Sequence, residues 1–263
     1  MSFDDGSSNQ KLNRYLLIRE KARQIAAIFP HADFYQDLSW AVKMSRSFFD
    51  SDPVVRQLNA EVAELIDNDF GHGMKHAVKV SLDAGALIIA ECRQTADVEK
   101  KHEKRRLRMV QCAGLLHDIR RKDKNHAVEG AAYAKKILIH HPFSTEEIED
   151  ISQAIRNHEA FKNTTKINTV EGLLISDCLY DADKFRWGPD NFKDTVWDML
   201  IFSRTPFSKF LDIYPKGMEK VRQIKYTFRS TTGKKYGPQF IETGLAIGRK
   251  LHNIIIEEFG DII

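Results

Sequence analysis

Leu115-Leu116-His117-Asp118-Ile119 decides the reading of this chain. The stretch closes an apolar helical run (Met109, Val110, Ala113, Leu115, Leu116) with a histidine and an aspartate side by side. Neighbours on a helix point about 100° apart, so these two side chains share a target only if the helix ends here and the aspartate turns back. An imidazole nitrogen beside a carboxylate oxygen suits a divalent ion. Taken alone, the pair equally describes a core histidine satisfied by its neighbour.

Working outward, two further helices carry matching residues. His76 opens a helix expected over 73–93, with Val78 and Val80 close by. Asp181-Ala182-Asp183-Lys184-Phe185 closes another apolar run (Leu173, Leu174, Ile175, Leu179). Three helices thus offer ligands in the order His, His-Asp, Asp. Eight of the ten histidines fall between residues 72 and 158. His72 reads as a helix-entry residue, and His140 and His141, before Pro142, as cations at a helix end. His31, His102 and His252 carry no motif.

Helical periodicity runs nearly throughout, and no stretch alternates as a strand would. Helices are expected over 9–28, 34–49, 53–67, 73–93, 104–118, 126–140, 145–158, 168–185, 189–203, 215–229 and 238–258. Ser51-Asp52-Pro53 pairs a capping side chain with proline at the first helical position. Asn68-Asp69-Phe70-Gly71 reads as a break, Ser144-Thr145-Glu146-Glu147 as a capping box, and Gly233-Lys234-Lys235-Tyr236-Gly237-Pro238 as a loop. The expectation is an all-α bundle: residues 1–52 as an N-terminal helical extension, and residues 53–263 as the main domain with its C-terminal helices.

The bulk properties agree with a folded domain. Hydrophobic residues make up 42% of 263, enough for a sizeable core. No apolar run approaches the ~20 residues of a membrane span. The polar, acidic start is unlike a signal peptide, and Cys92, Cys112 and Cys178 lack paired spacing, so a cytoplasmic protein is expected. A formal net charge of +3 is too small to argue for nucleic acid. Of the two basic runs, 100–106 reads as solvated surface. Arg120-Arg121-Lys122-Asp123-Lys124 follows the His-Asp pair directly, where positive charge attracts phosphate.

His76-x-x-Lys-Val, Leu-Leu-His117-Asp118-Ile and Ala-Asp183-Lys-Phe together resemble the HD-domain superfamily of metal-dependent phosphohydrolases. His126-x-x-x-Gly130-Ala131 and Ala154-Ile155-x-x-His158-Glu159 extend the likeness over residues 70–190. The resemblance implies His76, His117, Asp118 and Asp183 as ligands of one divalent ion, with Mn, Ni, Co, Fe or Mg all suited. Asp183 is preferred because the family sets its ligand before a basic residue, here Lys184; Asp181 is assigned to a helix surface or a supporting role. His126 and His158 hold a second ion in some members, or else face substrate; both readings stay open. Glu159-Ala160-Phe161-Lys162 replaces the Gly-Tyr-Pro of the cyclic-dinucleotide branch.

The implied function is hydrolysis of a phosphomonoester, nucleotide or phosphodiester by metal-activated water. Asp118, Lys184, Arg120 and Arg121 are the candidate catalytic groups, the last three as phosphate donors. Trp187 and Phe185 read as core, with base stacking as the other role. Two other functions fit the scaffold: a di-iron oxygenase using all six ligands, and a nucleotide-binding regulatory module. The expected partner is a small phosphorylated substrate, not a membrane or a nucleic acid; self-association stays open.

Overall fold

The computed structural model describes residues 5–66, 73–94, 100–203 and 205–259. Among these every regular element is helical, as the periodicity requires. The helices are α1 (Asp5–Ile28), α2 (Asp33–Asp37), α3 (Ser39–Ser51), α4 (Pro53–Leu65), α5 (Met74–Gln94), α6 (Lys100–Leu116) and α7 (His126–Leu138). They continue as α8 (Thr145–Arg156), α9 (Val170–Phe185), α10 (Val196–Ser203), α11 (Phe207–Ile224) and α12 (Thr231–Phe259), with a π-helical turn over Asn191–Thr195. No described helix is long and apolar enough to cross a membrane. His72 and the Asn68–Gly71 break lie outside the described residues.

The centre of the bundle is α5. From Val80 to Ala90 every residue is buried, so this stretch is enclosed rather than amphipathic. It packs on α3, α6 and α9, while α8 bridges α7 and α9. Two glycines let α5 sit close to its neighbours. A Cβ on Gly114 would lie 2.6 Å from the Ser81 Cα, and one on Gly85 2.3 Å from the Ser45 Oγ. The Ser81 hydroxyl donates to the carbonyls of Ala77 (2.8 Å) and Gln111 (3.0 Å), tying the crossing together. This close approach brings the start of α5 to the end of α6.

The caps follow from local chemistry. The Asp52 carboxylate accepts the Val54 and Val55 amides, both at 3.1 Å, and Pro53 starts α4 where no amide is needed. Ser144 and Glu147 form a reciprocal capping box on α8. The N-terminal helices join the same body: α1 packs on α10 and α12, with Tyr15, Ile18, Ala22 and Ile25 buried.

Three boundaries differ from expectation. Leu38, at φ −106° and ψ 25°, separates α2 from α3 where one helix is expected over 34–49. Helix α11 starts at Phe207 and runs through Pro215, because its apolar stripe continues past the proline. The Gly233–Pro238 segment is helical, inside α12. Its glycines serve close packing rather than a turn. A Cβ on Gly233 would meet the Asp181 carboxylate at 1.9 Å, and one on Gly237 would enter the Phe228 ring. Asp181 is therefore neither surface nor site: it is fully buried, accepting the Arg229 and Ser230 amides (both 2.8 Å) and the Ser230 hydroxyl (2.7 Å) at the start of α12.

The same substitution should thus have opposite signs at two glycines. Gly233→Ala drives a methyl into the Asp181 carboxylate and should cost ~1–3 kcal/mol. Gly217→Ala in α11 meets nothing within 4 Å and should gain up to ~1 kcal/mol from helix propensity. Denaturant titration checks both; a Gly233→Ala protein as stable as the parent contradicts this packing.

Candidate metal centre

Five helix ends meet at one point. His76 lies in the first turn of α5, and α6 stops at Leu116, leaving His117 and Asp118 just beyond it. His126 opens α7, His158 follows the end of α8, and Asp183 sits in the last turn of α9. The ending of α6 resolves the angular problem of adjacent residues, since His117 and Asp118 no longer project from a continuous helix.

Two donor groups share Asp118. In the first, the His76 and His117 Nε2 atoms are 3.2 Å apart. Asp118 Oδ2 lies 3.8 Å from His76 and 3.5 Å from His117. Asp183 Oδ1 lies 3.4 Å from His76 and 3.8 Å from His117. In the second, the His126 and His158 Nε2 atoms are 3.3 Å apart, and Asp118 Oδ1 is 3.6 and 3.5 Å from them. Donors bound at ~2.1 Å around one ion stand ~3–3.4 Å from each other, close to these separations. Each carboxylate oxygen of Asp118 thus faces one group.

The tautomers support ligation. Buried at the end of its helix, His117 directs Nδ1 at the Gly114 carbonyl (2.8 Å), and His158 directs Nδ1 at that of Ile155 (2.6 Å). A hydrogen on each Nδ1 leaves the Nε2 lone pair facing the cluster. One proton can bridge only two of these nitrogens, whereas a divalent cation accepts lone pairs from histidines and carboxylates together. His76, His117 and Asp118 fit one such ion, with Asp183 beside them, and Asp118, His126 and His158 fit another.

Burial sets the charges. It holds the His117 imidazole down at about 3, despite Asp118 and Asp183 nearby, and His126 down at about 4. Burial pushes the Asp183 carboxyl up, but the adjacent Lys184 ammonium and the His76 hydrogen bond outweigh it and keep Asp183 well below the usual range. Lys184 is itself buried and pairs with Asp183 Oδ2, its ammonium 5.0 Å from the Tyr180 ring centre.

The remaining candidates separate. Arg121 borders the site, donating from Nη1 to His126 Nε2 at 2.9 Å. Arg120 turns away, exposed, to pair with Asp123 at 2.8 Å. Phe185 is core, stacked on Phe240, whereas Trp187 lines the cavity above the site. His141 is buried against Glu61 at 3.0 Å, so it belongs to packing. The cavity has a volume of about 640 Å³ and its floor includes His76, Asp118, His126, His158 and Asp183.

One supporting cluster escaped the sequence reading. Arg186 is buried and bonded to Asp83, Asp190 and the Tyr35 hydroxyl, with Lys79 3.1 Å from Asp190. It ties α2, α5 and the end of α9 together beside the ligands. The signal was Asp83, a lone acid in the otherwise apolar run Leu82–Ile89. Glu159, given no role by its motif alone, lines the cavity with its Oε1 4.0 Å from His126 Nδ1.

Residues 76–188 match the HD domain family, so this segment is an HD domain. HD domains are mostly metal-dependent hydrolases that bind divalent ions. Neither a curated protein nor a solved structure matches the chain.

Two outcomes follow from this centre. After reconstitution with Mn²⁺ or Fe²⁺, metal analysis should give two ions per chain, with His158→Ala losing one and His117→Ala lowering the content severely. A His117→Ala protein keeping its full metal contradicts the ligand set. Second, His117 and His126 bind fewer protons when folded than free histidines, which titrate near ~6.5. Acid therefore favours the unfolded chain, and the stability these groups contribute is lost as pH falls from ~6.5 toward ~4. Melting of the chelator-treated protein should drop over that window; a flat profile contradicts the buried, neutral imidazoles.

Proposed function

We propose that this HD-domain chain is a metal-dependent phosphohydrolase. The observation that carries the reading is Asp118, whose two oxygens face two histidine pairs on the floor of a cavity rimmed by cations. His76, His117, Asp118 and Asp183 would hold one ion, and Asp118, His126 and His158 the other. When bound, divalent metal supplies Lewis-acid stabilisation of phosphoryl oxygens and lowers the pKa of water toward ~7.

The chain's own residues do the rest. Arg121 presents a permanently charged fork beside His126, suited to two phosphate oxygens at once. Lys184 acts differently from a phosphate donor: committed to Asp183 Oδ2, it orients that carboxylate so that Oδ1 faces His76. Arg120, paired with Asp123 outside the cavity, takes no part. Glu159 is the carboxylate we assign to proton transfer. Water's oxygen bonds to phosphorus, its proton passes to Glu159 and on to the departing oxygen, and the ester P–O bond breaks. For a monoester the products are an alcohol and inorganic phosphate.

The six converging side chains equally fit a di-iron oxygenase, so the test must separate the two. We expect an aryl phosphate to be hydrolysed anaerobically with Mn²⁺ or Co²⁺, since Lewis-acid chemistry needs no O₂. Glu159→Gln should lower kcat by ~10²–10⁴ with metal content unchanged. Turnover that requires iron and O₂, with no ester cleaved by any metal form, would replace this reading by the oxygenase. Metal-loaded protein that binds nucleotide without turnover would make it a regulatory module.

A further inference from the structure

Above the metal centre the cavity changes character. One wall is the π-helical turn and α10, which present Phe192, Thr195, Val196, Met199 and Leu200 at spacings of three and four, a single face of a helical rod. The facing wall is α11, which presents Phe210, Ile213, Tyr214, Gly217, Met218 and Val221 by the same periodicity. Helix α10 rests on α1 and α11 on α12; the two meet where the Trp197 and Phe210 rings pack edge to face at 5.5 Å, and beside that contact their apolar stripes line the open cavity. Met199 and Ile213 remain 42% and 47% exposed as a result. From Asn191 to Leu200 the wall rises about 14 Å at ~1.5 Å per residue.

The polar lining is unevenly placed. Arg121, Glu159, Lys162, Lys184 and Arg186 come from the metal-bearing segment. On the helical walls the uncharged polar side chains are Asn191, Thr195 and Tyr214, and the Tyr214 hydroxyl is already given to the Gly248 carbonyl at 2.9 Å. Lys216 and Lys220 flank the α11 stripe, adding positive charge that favours an anion without reading a base. Phe161, 51% exposed at the cavity, is held at φ 63°, a left-handed conformation unfavourable for a bulky side chain. A nucleobase buried between these walls would leave several edge donors and acceptors without partners, which disfavours it strongly. An alkyl or isoprenoid group loses nothing there and covers both stripes.

We infer that the substrate is a phosphomonoester with an extended apolar chain, the phosphate on the metal centre and the chain between α10 and α11. This rests on the phosphohydrolase reading for the reaction, and on the two stripes alone for the chain. Gly217 offers a clean probe, because it lines the same cavity and a Cβ there meets nothing within 4 Å. A larger residue fills the channel while improving helix propensity, so the variant should fold.

The experiment measures kcat/KM of the metal-reconstituted protein for ethyl, butyl and octyl phosphate and for a nucleoside monophosphate. Each fully buried methylene favours binding by about fourfold, so octyl should exceed ethyl phosphate by at least about tenfold. The octyl-to-ethyl ratio should fall at least about tenfold in Gly217→Leu, which occupies the volume a chain needs. Esters cleaved with no dependence on chain length, or a nucleotide preferred to octyl phosphate, overturn the inference while leaving hydrolysis intact. If no ester is cleaved, hydrolysis itself is wrong. Calorimetric binding of octyl against ethyl phosphate then decides the channel separately, equal affinities overturning it and a tenfold preference upholding it.

Discussion

The structure depends on presenting both oxygens of one buried carboxylate to two pairs of histidines. Asp118 is 3% exposed and faces His76 of α5, His117 beside it, His126 of α7 and His158 just after α8. Buried carboxylates and imidazoles are costly unless each is paired, so their surroundings must be accurately placed. Helix termini provide that placement. Side chains there can turn toward a common point, and the carbonyls of Gly114 and Ile155, three residues back, fix the orientation of His117 and His158.

Small residues make the convergence possible. Gly114 lets α6 approach the Ser81 backbone, and Gly85 lets α5 pass Ser45 and Gln111. At the far side of α9, Gly188 and Gly244 bring backbone against backbone, so a Cβ on Gly244 would lie 2.7 Å from the Gly188 carbonyl carbon. These contacts fix the end of α9, and with it Asp183, Lys184 and Arg186. The Arg186 cluster adds a charged tie across the same joint, with Asp190 held well below its usual range because Arg186, Lys79 and Lys193 overcome its burial.

The chain divides its labour along its length. Residues 76–188 build the metal centre, whereas the segment after Gly188 builds the walls that an extended substrate would meet. The π-helical turn over Asn191–Thr195 lies at the boundary, where an irregular helix re-aims the side chains that follow. On the proposed reading, reaction type and substrate choice would rest on different elements of the chain.

The sequence by itself determined the helical class and several helix boundaries, among them the starts at Pro53, His126 and Thr145 and the end at Phe185. Periodicity, the Asp52-Pro53 cap and the Ser144 capping box are local, and local propensity expresses them directly. It also pointed to the six residues that converge: His76, His117-Asp118 and the Asp181–Asp183 stretch stand at the ends of apolar runs, and the resemblance to the HD-domain superfamily supplied the choice of Asp183 and added His126 and His158. Only the tertiary structure decided what their neighbours do. Lys184 and Arg120 carry the same charge in sequence, yet one is buried on Asp183 and the other leaves the cavity for Asp123. The Gly233–Pro238 stretch reads as a loop because glycine and proline usually mark turns. It lies inside α12, and its glycines are there because Asp181 and the Phe228 ring lie too close for any larger side chain. Which residues need to be small, and which charges meet, depends on contacts between segments far apart in the chain, and no local pattern encodes those.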